Sequence, residues 1–271
     1  MSKIKLVAID MDGTLLDDHQ QITPENIAAI QKADAAGVQI VLASGRPLAG
    51  LKQYLTQLQL WEEDHYTITF NGALVQENAT DKTILEHTVP LETFKTFAKL
   101  AQTLHLHIHA EDKDRMYTPN RDISKYTVIE SALVDLPLHY RTLDEFSPDT
   151  HFSKVMMIDE PDLITAAEPK IPATLKEDYY IVKSTPYFLE VMNRQVSKGK
   201  ALDELAAFLG FKQSEVMAIG DQGNDLSMVQ YAGMGVAMAN AIDAVKASAT
   251  IQTASNNDSG VAQAINQYVL S

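Results

Sequence analysis

The sequence predicts an α/β protein whose parallel-sheet core is interrupted by an inserted α+β domain. Three observations predict it. Up to about residue 75, apolar runs of strand length alternate with helical stretches. Closely spaced strands with few crossover helices follow. The first rhythm then returns near residue 198. Near-continuous apolar runs suit strands buried on both faces, as in a parallel sheet. The alternating helices supply its crossovers.

The elements follow in order. "IKLVAI", residues 4–9, is an apolar run broken only by Lys5. In "TPENIAAIQKADAAG", Thr23 is an N-cap, Pro24 the first helical position and Gly37 the stop. "VQIVLASGR" is a second strand, with Ser44, Gly45 and Arg46 just past its end and a helix from Pro47. "YTITFNGA" is a third strand closing in a turn at Asn71 and Gly72. "ALVQ" and "TILEHTV" read as a hairpin. "LETFKTFAKLAQTL" is an amphipathic helix with Phe94, Phe97, Leu100 and Leu104 on one face. "HLHIHAED" and "DRMYTP" read as paired strands, followed by a helix over 121–133, a strand at "KVMMID" and a short helix near 161–168. "YYIVKS" and "YFLEVMN" are strands, and the whole module reads as antiparallel. Then "KGKALDELAAFLG" is a helix stopped by Gly210, and "EVMAIGD" is a strand ending in an acid, like the first. "NDLSMVQYAG", "MGVAM", "AIDAVKASA" and "GVAQAINQYVL" complete the chain as helix, strand, helix, helix. The core is expected over 1–84 and 188–271, and the insertion over 85–187.

Composition narrows the function classes. With 271 residues and 45% hydrophobic content, the chain can bury a large core. A formal net charge of −14 argues against nucleic acid and anionic membranes as partners. A small anionic substrate stays open, because a metal and a few local cations override the global field. The absence of cysteine excludes disulfides, thiolate chemistry and Cys-based zinc sites. The N-terminus reads as no signal peptide, and no apolar run reaches about 18 residues, so a cytoplasmic location is expected. No heptad seam or apolar stripe speaks to oligomeric state.

Ligands of open parallel sheets bind at the carboxyl ends of the strands. Three strand ends here carry chemistry: Asp10 with Asp12, Ser44-Gly45-Arg46, and Asp221 with Asn224 and Asp225. If the strands are neighbours, these groups share one pocket. Asp10 and Asp12 tolerate each other if a divalent cation sits between them and Asp221, and carboxylate oxygens are what Mg²⁺ prefers. Such a site suits phosphoryl transfer. Asp10 is the candidate nucleophile and Asp12 the candidate general acid/base. Ser44 and nearby backbone N–H groups would bind phosphate oxygens, and Lys198 would add a point charge. Arg46 either faces substrate or pairs with an acid. Asp225 either ligates the metal or orients its surroundings.

"DMDGTLLD" resembles the first motif of the haloacid dehalogenase superfamily, "LASGR" the second, Lys198 in "VSKGKAL" the third and "GDQGND" the fourth. They occur in the family's order and span nearly the whole chain. The long insertion resembles the large cap of the Cof-type subfamily, subclass IIB, as does "IGDQGNDLSMVQYAGMGVAMANA". The resemblance implies a Rossmann-like core with a C2B-type cap that chooses the substrate. It implies a Mg²⁺-dependent phosphatase acting on small phosphorylated metabolites, sugar phosphates in particular. It implies Asp10 as nucleophile and metal ligand, and Asp12 as acid/base, ligating through its carbonyl. Met11 would offer a backbone N–H to phosphate, with Ser44, Gly45, Arg46, Lys198 and Asn224 binding phosphate or substrate. Asp221 and Asp225 would complete the metal site. Asn71, Gly72, Glu190 and Asn193, near the expected hinges, are the candidates for choosing the substrate.

Two rival functions use similar groups. A sugar phosphomutase would return the phosphoryl group to the sugar. A receiver-like signalling domain would hold it on one aspartate, but such domains are about half this length. His105, His107 and His109 alternate as metal ligands sometimes do, yet a half-exposed strand with Leu104, Leu106 and Ile108 facing in explains them as well. Met217, Met234 and Met238 read as core.

Overall fold

The computed structural model describes residues 3–271; Met1 and Ser2, which open the stretch read as no signal peptide, lie outside the described residues. The chain forms two compact units. One runs to Glu86 and resumes at Ser197, and the other is His87–Val196.

The first unit opens with β1 (Leu6–Asp10), α1 (Pro24–Ala35), β2 (Gln39–Ala43), α2 (Leu48–Gln57) and β3 (Tyr66–Thr69). The Thr23 side chain caps α1 by accepting from Asn26 N–H. A short 3₁₀ turn, Phe70–Gly72, leads into the hairpin β4 (Leu74–Glu77) and β5 (Thr83–Glu86).

The second unit contains β6 (Val89–Pro90), α3 (Leu91–Leu104), β7 (His107–Glu111), β8 (Met116–Thr118), α4 (Lys125–Val134) and β9 (Leu138–Tyr140). It continues through β10 (His151–Phe152), β11 (Lys154–Ile158), α5 (Pro161–Ala167), α6 (Ala173–Asp178), β12 (Tyr179–Thr185) and β13 (Phe188–Asn193). The first unit then resumes with α7 (Lys198–Phe208), β14 (Val216–Gly220), α8 (Leu226–Tyr231), β15 (Met234–Ala237), α9 (Asp243–Ser248), β16 (Ile251–Gln252) and α10 (Gly260–Tyr268).

The core sheet has the order β16-β15-β14-β1-β2-β3-β4-β5. From β16 to β3 all pairs are parallel, and the β4–β5 hairpin continues the sheet antiparallel. The apolar runs are buried on both faces. Val7 and Ile9 pack with Ile40, Leu42, Met217 and Ile219 on one side, while Leu6 and Ala8 pack with Val41, Ala43, Val216 and Ala218 on the other. Each fully buried Leu, Ile or Val contributes about 1.5–3 kcal/mol.

The second unit is a six-stranded sheet of order β12-β13-β11-β7-β8-β9, antiparallel except for the β8–β9 pair. Phe94, Phe97, Ile108, Val155, Met157, Leu189 and Val191 form its apolar core. The boundary expected at residue 188 moves to Ser197, because β13 pairs with β11 and β12. The earlier boundary falls after Glu86, because β5 pairs with β4 in the core sheet. Among the described residues, no helix is long and apolar enough to cross a membrane.

Candidate active site

β14, β1 and β2 are neighbours, so their carboxyl ends bring Asp221, Asp10 and Ser44 to one edge of the sheet. Asp10 is the last residue of β1 and 5% exposed. The chain then turns back, with Leu15 and Leu16 N–H donating to the Met11 carbonyl. Gly13 makes the turn at φ +84°, and a Cβ there would lie 2.6 Å from Asp221 Oδ2. Only glycine fits both demands. Thr14 Oγ1 then donates to Asp221 Oδ1 at 2.8 Å, fastening this loop to the one after β14.

Lys198 opens α7 and is fully buried. Its Nζ donates to Asp10 Oδ1 at 2.5 Å and to Asp225 Oδ1 at 2.7 Å. Asp225 Oδ2 accepts the N–H groups of Asp221 and Gln222, each at 2.9 Å. Most of its lone pairs are therefore taken, and its evident work is to hold Lys198 and shape the Asp221 loop. Lys200, two residues on, is exposed and pairs with Glu204 at 3.1 Å.

Three buried carboxylates face one ammonium, a balance of −2. The consequence is visible at Asp10. Its carboxyl is raised from 3.8 to about 8, first by burial, with Lys198 opposing and Asp225 and Asp221 reinforcing the rise. Asp221 is also raised, first by burial, while Thr14 opposes. At Lys198 burial works against the charge, but Asp10 and Asp225 outweigh it and hold the ammonium above its ordinary range. Asp10, Asp221 and Asp225 each offer an oxygen, all within 4.8 Å of one another. A divalent cation fits both the charge and the all-oxygen donor set.

Asp12 lies outside this oxygen group. Its carboxylate is 51% exposed and is gripped by Arg46, with Nε to Oδ2 at 3.1 Å and Nη2 to Oδ1 at 2.5 Å. Arg46 thus pairs with an acid, and the acid is the expected acid/base. Ser44 is buried, and its Oγ accepts from Arg46 N–H at 3.2 Å. Gly45 packs against the Asn71 side chain. Asn71, at φ +57°, donates its N–H to the Ser44 carbonyl and accepts from Asn224 Nδ2 at 3.1 Å. It ties the second and fourth motif loops together. Met11 is buried within the core.

The strand ends singled out Asp10, Asp221 and Asp225, the motif resemblance singled out Lys198, and the four converge. Both missed Thr14 and Gln222, whose side chains bond Asp221; the only signal was their place inside the motifs. Elsewhere, the three histidines separate. His105 is the left-handed cap after α3, His107 bonds Asp159, and His109 is buried beside Glu111. Glu190 sits 3.7 Å from buried Lys154, and Asn193 donates to the Thr88 carbonyl, so both are tied within the second unit.

Comparison with known proteins accords with this geometry. The family model for haloacid dehalogenase-like hydrolases matches residues 7–265. A Bacillus subtilis protein named "Putative phosphatase YxeH" is 47% identical over 98% of both chains. A solved haloacid dehalogenase-like hydrolase from Bacteroides thetaiotaomicron superposes with TM-score 0.88 at 30% identity, over 98% of this chain and 99% of that one. A solved subclass IIB sugar phosphatase superposes with TM-score 0.76 at 25% identity, over 98% and 100%. The chain belongs to the haloacid dehalogenase-like hydrolase family and is a phosphatase of that family.

Proposed function

We propose that this phosphatase is Mg²⁺-dependent, acts on small phosphorylated metabolites, sugar phosphates foremost, and works through an aspartyl-phosphate on Asp10. The observation that carries the reading is Asp10 at the end of β1, buried, bonded to Lys198 and grouped with Asp221. A likeness to a subclass IIB sugar phosphatase supports the substrate class.

Asp10 and Asp221, with Asp225 beside them, would hold the cation. Bound Mg²⁺ supplies charge neutralisation at the phosphate and alignment with the attacking oxygen. The Asp10 carboxylate attacks phosphorus, and the bond to the leaving oxygen breaks. Asp12 gives that oxygen a proton. Asp12 then takes a proton from water as the water attacks phosphorus, and the Asp10 carboxylate departs as phosphate forms. Lys198 favours the ionised form of Asp10 against its burial, orients it for attack, and faces the anionic phosphate as charge develops. Ser44, Asn224 and the Met11 N–H bind phosphate oxygens. The second unit supplies the groups that choose among substrates. The proposed enzyme is cytoplasmic and acts on small molecules, and its net charge of −14 speaks against nucleic acid and anionic membrane as partners.

The test is phosphate release from a panel of phosphorylated sugars, nucleotides, flavin mononucleotide and pyridoxal phosphate. It is run with Mg²⁺, with a chelator, and with Asp10→Asn. Release that needs Mg²⁺ and vanishes in the variant is expected, with sugar phosphates ranking highest. Retention of about a tenth of the activity by Asp10→Asn contradicts the nucleophile assignment, since losing a covalent nucleophile costs far more than tenfold.

A further inference from the structure

We propose that Arg46 is a positioning residue for Asp12, and that Gln20 acts through Arg46. The inference rests on the reading in which Asp12 gives and takes the proton.

The geometry is a fork on a carboxylate. Two nitrogens of one guanidinium bond the two oxygens of Asp12, at 3.1 Å and 2.5 Å. Such pairs fix direction as well as distance. A carboxylate has about four lone-pair sites; Arg46 takes two and leaves the rest for a proton. Among the described residues, no other side chain bonds the Asp12 carboxylate. Half exposed and unheld, it would spread over its rotamers. A displacement of about 1 Å in a reacting group costs on the order of 100-fold in rate.

Arg46 is itself held at both ends. Its N–H donates to Ser44 Oγ at 3.2 Å. Its guanidinium lies 5.8 Å from the Tyr54 ring centroid, and Nη2 donates to Gln20 Oε1 at 2.9 Å. Gln20 sits in a left-handed conformation, φ +60°, which a residue with a Cβ adopts at a cost of about 1 kcal/mol. A tight loop maintains it. Asp17 Oδ1 accepts the N–H groups of His19 at 2.8 Å and Gln21 at 2.9 Å, and the Asp17 carbonyl accepts from Gln20 N–H at 3.0 Å. The loop after the first motif thus delivers Gln20 to the arginine of the second motif. Three loop positions, Gln20, Arg46 and Asp12, form a relay that ends on the acid/base.

The competing role for Arg46 is direct binding of the substrate's phosphate or leaving group. Leaving-group dependence separates the two. A sugar alkoxide needs a proton to depart, whereas p-nitrophenolate departs without one. The experiment measures kcat/KM and KM on a hexose phosphate and on p-nitrophenyl phosphate. The proteins are wild type, Asp12→Asn, Arg46→Ala, Arg46→Lys, Gln20→Ala and the Gln20→Ala/Arg46→Ala double variant, with melting temperatures as the folding control.

The expected result is a loss in Arg46→Ala that is roughly 10- to 100-fold larger on the sugar phosphate than on the aryl ester, matching the bias of Asp12→Asn. Arg46→Lys recovers part of it. Gln20→Ala shows a smaller bias of the same sense, absent when added to Arg46→Ala. Equal losses on both substrates with a raised KM assign Arg46 to substrate binding and overturn the proposal. So does a Gln20→Ala effect that adds in full to that of Arg46→Ala. A bias in Asp12→Asn with none in Arg46→Ala defeats the positioning role alone. Its absence from Asp12→Asn defeats the acid/base reading and this proposal with it.

Discussion

Lys198 is the residue on which the site's electrostatics turn. It is a fully buried ammonium set between Asp10 and Asp225. Removing one partner of a buried ion group leaves the others uncompensated, at a cost of about 3–5 kcal/mol. Lys198→Met is expected to lose activity and also to lower the unfolding free energy, read from urea denaturation, by an amount in that range. A variant as stable as the wild type would show that Asp10 and Asp225 find other partners. Lys198 was legible through the resemblance of "VSKGKAL" to the family's third motif, in which Lys198 holds the matching position. Thr14 was not legible as an anchor of Asp221. The two residues are 207 positions apart, and no spacing rule reports a contact between two loops. The grip of Arg46 on Asp12 was legible only as a choice between two roles, since a side chain's direction past a strand end is set by neighbours such as Gln20 and Tyr54.

At the scale of elements, the long apolar strands and capped helices were readable because burial on both faces leaves a continuous signature. The short elements were not. β6, β10 and β16 have two residues each, too few to show a period, and β9 has three. The strand β7 misled for another reason. Alternation with one apolar face suggested a half-exposed strand, but its polar face is buried too. Glu111 and His109 are fully buried there, and Lys154 reaches Glu130 of α4 at 3.0 Å. Polar residues buried by a covering helix look like solvent-facing residues in sequence. The turn after β3 shows how one residue joins two elements. Gly72 adopts φ +102°, and a Cβ there would lie 2.3 Å from the Ser197 carbonyl, the residue before Lys198. Gly72→Ala is expected to cost roughly 1–3 kcal/mol from backbone strain, and more from the clash. Its melting temperature should fall, and kcat with it, because α7 carries Lys198. A neutral effect would mean that the 3₁₀ turn yields without moving α7.

For the molecule as a whole, the split core and the inserted unit were legible as a change in rhythm and its return, whereas the boundary at Ser197 was not, because β13 reads alike in either sheet. The buried acids couple folding to metal and to protons. The Asp10 pKa is raised in the fold, from 3.8 to about 8. The folded state therefore binds this proton more tightly than the unfolded chain. In metal-free protein, that stabilisation is fully present below about pH 4 and is lost as pH rises through about 8. A divalent cation competes with the proton, so its affinity grows over the same window. Mg²⁺ is expected to raise the melting temperature more at pH 8.5 than at pH 6, read by calorimetry at fixed ionic strength. A shift of equal size at both pH values would contradict the raised Asp10. Whether Asp10 carries the phosphoryl group is read by quenching Asp12→Asn protein with acid after mixing with p-nitrophenyl phosphate and Mg²⁺, then mapping phosphorylated peptides by mass spectrometry. Phosphate is expected on the peptide containing Asp10, accumulating because p-nitrophenolate departs without a proton while the base for hydrolysis is gone, and none is expected in the Asp10→Asn/Asp12→Asn protein. Phosphate found on another residue, or turnover with no phosphoenzyme at any time point, would contradict it.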